Sequence, residues 1–74
     1  MKHQLSLSWQ CDKAGLTEKQ KRIVMLWSTG LNDAEVAENV GIAISTLRTY
    51  YNRLSAKFEA RNKTNLIHLI WSYK

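Results

Sequence analysis

The run from Ser45 to Phe58 constrains the fold most, because its apolar residues recur with the period of an α-helix. One stripe of such a helix would carry Leu47, Tyr51, Leu54 and Phe58. The opposite stripe would carry Ser45, Arg48, Thr49 and Asn52. The pattern therefore predicts a helix from about Ile44 to Glu59 that packs through one face and presents polar groups on the other.

A shorter helix is predicted directly before this one. Asn32 followed three residues later by Glu35 is a capping-box pattern, which starts a helix that would run from Asp33 to Val40. Gly41 can take the left-handed conformation that ends a helix. Two helices joined by a turn that begins with glycine form the pattern of a helix-turn-helix, in which the second helix lies in the major groove of DNA.

Two further helices are predicted on either side of this pair. Thr17 and Gln20 form a second capping-box pattern, which starts a helix from about Thr17 to Thr29. The last helix is predicted from Asn65 to Tyr73, with Asn62 as a cap in the polar connection before it. It is apolar on more than one side, which indicates a second surface to bury.

The first 15 residues are predicted to be a short N-terminal arm, because they show no helical periodicity. Leu5, Leu7 and Trp9 alternate with polar residues over a span too short to build a sheet. The expected organisation is therefore an arm over residues 1–15 and one small domain over residues 16–74. A chain of this size buries only roughly 60% of its unfolded surface, so a dimer or another partner would help to stabilise it.

The positive charge is concentrated in the second half of the chain. Residues 1–43 hold five basic and five acidic side chains, whereas residues 44–74 hold six basic side chains and one acidic side chain. The whole net charge of +5 therefore lies in and after the predicted second helix of the pair, as expected for a surface that faces phosphates. A solvated basic face is the alternative reading of the same charge pattern.

Several functional classes find no support in the sequence. Cys11 is the single cysteine, so no disulfide can form within one chain. His3 and His68 have no carboxylate or cysteine at ligand spacing near them, so neither a metal nor a cofactor is expected. No nucleophile stands beside a base and no glycine-rich phosphate loop is present, so the chain is not expected to be an enzyme. No membrane-spanning segment or signal core is present, which favours a cytoplasmic protein.

The segment from Leu16 to about Trp71 resembles the C-terminal DNA-binding domain of the LuxR family, also called GerE-like. The matching residues need no insertion between them and are Leu16-Thr17, Ile23, Leu26, Gly30-Leu31, Glu35-Val36-Ala37, Val40, Ile42, Thr46-Leu47, Leu54, Lys57-Phe58 and Arg61 to Thr64. The resemblance implies an all-α fold of four helices, in which the second and third form the helix-turn-helix and the fourth often mediates dimerisation. It also implies a bacterial, nucleoid-associated regulator of transcription that binds double-stranded DNA, commonly as a homodimer.

By this resemblance the base-reading positions fall on Arg48, Thr49 and Asn52. Arg48 suits a bidentate contact to guanine, and Asn52, one turn later, suits adenine or a phosphate. The alternative is that both side chains are simply solvated. The DNA backbone is expected to contact Ser45, Thr46, Arg53, Lys57, Lys63 and Thr64. These contacts would contribute affinity without sequence information.

The sequence departs from the family pattern in ways that leave a second function open. Ala43 stands where the family has a serine cap, and Glu59 stands where it has glycine. An alanine has no hydroxyl with which to cap the helix or contact a phosphate. The alternative is a small helical interaction protein, an anti-activator that binds another regulator. The dimer or partner surface would be Leu66, Ile67, Ile70 and Trp71.

Overall fold

The computed structural model describes the backbone of residues 2–73 and the side chains of residues 7–73. Within that range the chain forms five α-helices and no strand. They are α1 (Lys2–Lys13), α2 (Glu18–Ser28), α3 (Asp33–Val40), α4 (Ile44–Phe58) and α5 (Lys63–Trp71). The all-α class and the four helices predicted after residue 15 are confirmed. Met1 of the predicted arm and Lys74 of the basic half lie outside the described residues.

The ends of α2 and α3 are set by the local signals that predicted them. The Thr17 hydroxyl accepts a hydrogen bond from the Gln20 N–H, and the Gln20 side chain accepts one from the Thr17 N–H. Asn32 and Glu35 make the same reciprocal pair at the start of α3. Gly41 ends α3 with φ 78°, in the left-handed region that glycine adopts without steric cost. The backbone thus turns sharply between α3 and α4.

Neither end of α4 has the residue that a helix end usually favours. The N-cap Ala43 has extended backbone angles and makes no side-chain hydrogen bond, and α4 begins at Ile44 without a later cap at Ser45 or Thr46. At the other end, Glu59 adopts φ 55°, a left-handed conformation that is strained for a residue with a Cβ. The helix is therefore held by its packing more than by its ends.

Replacing Ala43 by Ser should raise the free energy of unfolding by about 1 kcal/mol, because the backbone at this position already has N-cap geometry and lacks only the hydroxyl. Urea unfolding followed by circular dichroism would measure the change. Ala56→Ser in the last turn of α4 is the matched control, and it should give no gain because serine is a weaker helix former than alanine. Equal effects of the two substitutions would contradict the capping explanation.

Helix α1 lies within residues 1–15, which were predicted to form an N-terminal arm because they show no helical periodicity. Leu7, Cys11 and Ala14 follow one another at helical spacing, and all three are buried. The alternation of Leu5, Leu7 and Trp9 concealed this stripe, and the structure leaves Trp9 61% exposed while Leu7 is fully buried. Helix α1 packs against α2 and α5. The ordered domain is therefore longer at its N-terminal end than predicted.

The core draws on all five helices. Its buried side chains are Leu7, Cys11, Ala14, Leu16, Ile23, Val24, Trp27, Val36, Ala37, Leu47, Leu54, Leu66 and Ile70. Burial raises the pKa of the Cys11 thiol to about 11, and the neighbouring Asp12 carboxylate adds to the rise. The thiol is therefore a neutral apolar group of this core at physiological pH.

The predicted partner surface on α5 is wrong for two of its four residues. Leu66 and Ile70 are fully buried, and α5 packs against both α1 and α4 of the same chain. The Gln10 side-chain amide also donates a hydrogen bond to the Trp71 carbonyl, which joins the two helices by their ends. Ile67 and Trp71 remain partly exposed. The core of the chain thus takes up Leu66 and Ile70 and leaves Ile67 and Trp71 at the surface of α5.

Candidate nucleic-acid interface

Helix α4 separates its side chains into the two predicted faces. Leu47 and Leu54 are each 1% exposed and fix the helix to the core. Arg48, Thr49 and Asn52 are exposed together on the outer face, as predicted. The Thr49 hydroxyl donates a hydrogen bond to the Ser45 carbonyl at 3.2 Å, so this side chain has a fixed position on the helix. The outer face of α4 is a rigid polar surface.

The turn between α3 and α4 holds the outer face in place. The Ile42 N–H donates to the Ala37 carbonyl at 3.0 Å across the turn, and Ala37 is buried where the two helices approach each other. On the other side of α4, the Tyr51 ring meets the Trp27 ring of α2 edge-on, with the centroids 6.0 Å apart. Helix α4 is therefore supported by both α2 and α3.

Three exposed arginines lie on or beside the outer part of α4: Arg48, Arg53 and Arg61. In the part of the chain that the structure describes, none of them forms a salt bridge with a carboxylate. Their charges are therefore available to an anionic partner. Ser45, Thr46 and Thr64, the predicted neutral contacts to the DNA backbone, are also exposed.

The two lysines predicted to contact DNA both make contacts within the domain. Lys57 donates from Nζ to the Ala14 carbonyl at 3.2 Å, so it joins α4 to the end of α1. Lys63 lies 2.6 Å from the Asp33 carboxylate, and its Nζ lies 5.3 Å from the centre of the Trp27 ring. Both residues therefore have a structural role, and their contacts to DNA stay predictions.

Asp33 connects the starts of α3 and α5. Its Oδ1 accepts hydrogen bonds from Lys63 Nζ at 2.6 Å and from the Trp27 indole N–H at 3.0 Å. The hydrogen bond from Lys63 is the main cause that lowers the pKa of Asp33, and the Trp27 and Arg48 side chains contribute in the same direction against the opposing effect of burial. The carboxylate therefore stays ionised at neutral pH and holds Lys63 in place.

A concavity of about 320 Å³ lies beside the polar face of α4. It is lined by Trp27, Asp33, Ile44, Leu47, Arg48, Tyr51 and Asn52. Ile44 is a site residue that the sequence analysis did not select, and the structure leaves it 45% exposed. Its spacing of four residues from Arg48 is the signal that places both on one side of the helix. The lining of the concavity thus combines apolar side chains with charged and amide groups.

A second concavity lies elsewhere in the described part of the chain. It has a volume of about 430 Å³, lies along α2 and is lined by Glu18, Lys21, Arg22, Met25, Leu26 and Thr29. Among residues 2–73, no group of three or more His, Cys, Asp or Glu side chains comes together in a way that could hold a metal ion. None of the helices in this range is long and apolar enough to cross a membrane.

Comparison with known proteins assigns the chain to a family. The family model for bacterial regulatory proteins of the luxR family matches residues 14–70. A similar curated protein is the monoamine regulon transcriptional regulator of Klebsiella aerogenes, which is 32% identical over 56 residues. The match covers 76% of this chain and only 25% of that protein's length. No solved structure matches the chain. The chain belongs to the luxR family of bacterial regulatory proteins.

Proposed function

We propose that the protein is a sequence-specific DNA-binding regulator of transcription that places α4 in the major groove. The observation that carries the proposal is the joint exposure of Arg48, Thr49 and Asn52 on a helix fixed by Leu47 and Leu54, in a chain of the luxR family. The bacterial cytoplasm, where such DNA lies, is the expected location. The regulated genes are not part of the proposal.

The side chains on this surface divide into two roles. Arg48 contacts a guanine and Asn52 an adenine or a phosphate, because their donors and acceptors suit those groups, and Thr49 contacts the base between them. Arg53, Ser45, Thr46 and Thr64 contact phosphates or sugars, and Arg61 adds a further cation at the end of α4. Lys57 and Lys63 are the remaining proposed phosphate contacts, and their ammonium groups also donate to the Ala14 carbonyl and the Asp33 carboxylate.

The proposed function includes the pairing of two copies through α5. A dimer would present two copies of α4 to half-sites about one turn of DNA apart. Since Leu66 and Ile70 are buried, such a surface would use Ile67 and Trp71, which stay partly exposed. The alternative of an anti-activator that binds another regulator relied on the same face of α5, where Leu66 and Ile70 are buried in the core.

Replacing Arg48 by Ala should relax sequence preference and weaken binding to the preferred site by on the order of 1 to 3 kcal/mol. The measurement is a fluorescence-anisotropy titration with the preferred duplex and with mixed-sequence duplex, at low and at physiological salt. Lys19→Ala is the matched control, because it also removes one exposed positive charge but lies on α2. Lys19→Ala should reduce the affinity for both duplexes only slightly.

Two results of this titration would contradict the proposal in different ways. An equal loss on preferred and mixed-sequence DNA for Arg48→Ala would show that Arg48 contributes charge and no base recognition. No binding of the unmodified protein to any duplex at low salt would overturn DNA binding itself. That second result would favour the protein-partner alternative.

A further inference from the structure

We propose that Ile44 reads the C5-methyl group of a thymine next to the base that Arg48 contacts. The inference rests on the proposed DNA-binding function and deepens it, because it adds an apolar recognition element to a surface so far described as polar. Ile44 is the first residue of α4 and is 45% exposed. Among the described residues, the other large apolar side chains with high exposure are Trp9 and Tyr73, which lie outside α4.

The position of Ile44 relative to the base-reading residues supports this role. Ile44, Arg48 and Asn52 are spaced by four residues, so they lie on one side of α4. All three line the concavity of about 320 Å³ beside the helix. Trp27, Leu47 and Tyr51 also line that concavity, so apolar side chains adjoin Ile44 there. Ile44 thus continues the row of Arg48 and Asn52 toward the N-terminal end of the helix.

The chemistry of the groove explains what an exposed isoleucine can recognise there. The C5-methyl of thymine is the apolar group on the major-groove edge of a standard base pair, and aliphatic side chains contact it. The N-terminal residues of a recognition helix are the ones that contact base edges. An isoleucine has no hydrogen bond to offer a phosphate, and Ala43 before it makes no side-chain hydrogen bond either. The first turn of α4 is therefore suited to an apolar base edge.

A uracil scan tests this inference directly. A preferred duplex is first selected from a random-sequence pool, and each thymine in it is then replaced singly by deoxyuridine, which removes only the methyl group. The unmodified protein should lose about fourfold in affinity at one thymine of each half-site, which is the value of one buried methyl group. Ile44→Ala should bind the thymine and deoxyuridine duplexes equally at that position.

Thr49 offers a second methyl group on the same face, so Thr49→Ser is the matched control. Thr49→Ser should keep the fourfold penalty at the Ile44 position, and so should Trp9→Ala on the distant exposed part of α1. Circular dichroism and thermal unfolding of each variant establish that it is folded. Alanine at position 44 is compatible with a helix, because it has the highest helix propensity.

The possible outcomes separate this inference from the function on which it rests. Loss of the uracil penalty in Ile44→Ala alone supports it. Retention of the penalty in Ile44→Ala, its loss in Thr49→Ser, or a uracil scan without any penalty overturns it while DNA recognition stands. Failure to select any preferred duplex overturns the proposed sequence-specific function, and the inference about Ile44 falls with it.

Discussion

Replacing Leu7 by Ala should lower the free energy of unfolding by about 2 to 5 kcal/mol, the usual cost of truncating a fully buried leucine. The side chain is buried in the core formed by α1 with α2 and α5, so its loss removes apolar contacts and leaves a cavity. A domain of this size has little stability to spare. Urea unfolding followed by far-ultraviolet circular dichroism would measure the difference.

The control for this substitution lies two residues away on the same helix. Trp9 is 61% exposed and holds only the Lys13 ammonium 4.9 Å from the centre of its ring, so Trp9→Ala should cost at most about 1 kcal/mol. Truncation of the larger side chain, Trp9, should therefore lower the free energy of unfolding less than truncation of Leu7. If Leu7→Ala left the free energy of unfolding unchanged, the packing of α1 against the rest of the domain would be contradicted.

Raising the monovalent salt concentration from about 50 to about 200 mM should weaken duplex DNA binding about 40-fold for each bound copy. Arg48, Arg53 and Arg61 are exposed and form no salt bridge within the described chain, and each should displace about one counterion from the DNA. About three displaced counterions give a slope of about −2.7 in a plot of log affinity against log salt. Anisotropy titrations over a salt series would measure the slope.

Single substitutions would show which cations contribute to that slope. Arg53→Ala should make the slope shallower by about 0.9, because a free charge is removed. Lys63→Ala is the comparison, and it should leave the slope nearly unchanged because Asp33 already neutralises Lys63. A loss of slope in Lys63→Ala as large as that in Arg53→Ala would mean that DNA displaces Asp33 from its lysine.

The parts of the fold that could be predicted are those set by neighbouring residues. Thr17 with Gln20 and Asn32 with Glu35 each define a helix start through hydrogen bonds that span three residues. The two faces of α4 likewise follow from the helical period alone. Such features need no knowledge of the rest of the chain, and the structure confirms them.

The parts that could not be predicted depend on contacts between distant residues. The stripe of α1 uses Cys11 and Ala14, small side chains that carry a weak apolar signal, and its burial depends on α5 at the other end of the chain. Lys57 bonds to a carbonyl 43 residues away, and Lys63 pairs with a carboxylate 30 residues away. The residues next to a lysine in the sequence do not indicate that its ammonium group contacts a distant part of the same chain.

Because of α1, the boundary of the family match differs from the boundary of the folded domain. The family match begins at residue 14, whereas two of the described core side chains, Leu7 and Cys11, precede the match. A fragment cut at the family boundary would keep every candidate DNA contact and lose two core side chains, Leu7 and Cys11, with the packing of α1 against α2 and α5. Removal of α1 would expose the apolar surface against which it packs, and this surface would favour self-association. Self-association of such a fragment would reflect the apolar surface exposed by the truncation. It would therefore give no information about whether the intact chain forms a dimer.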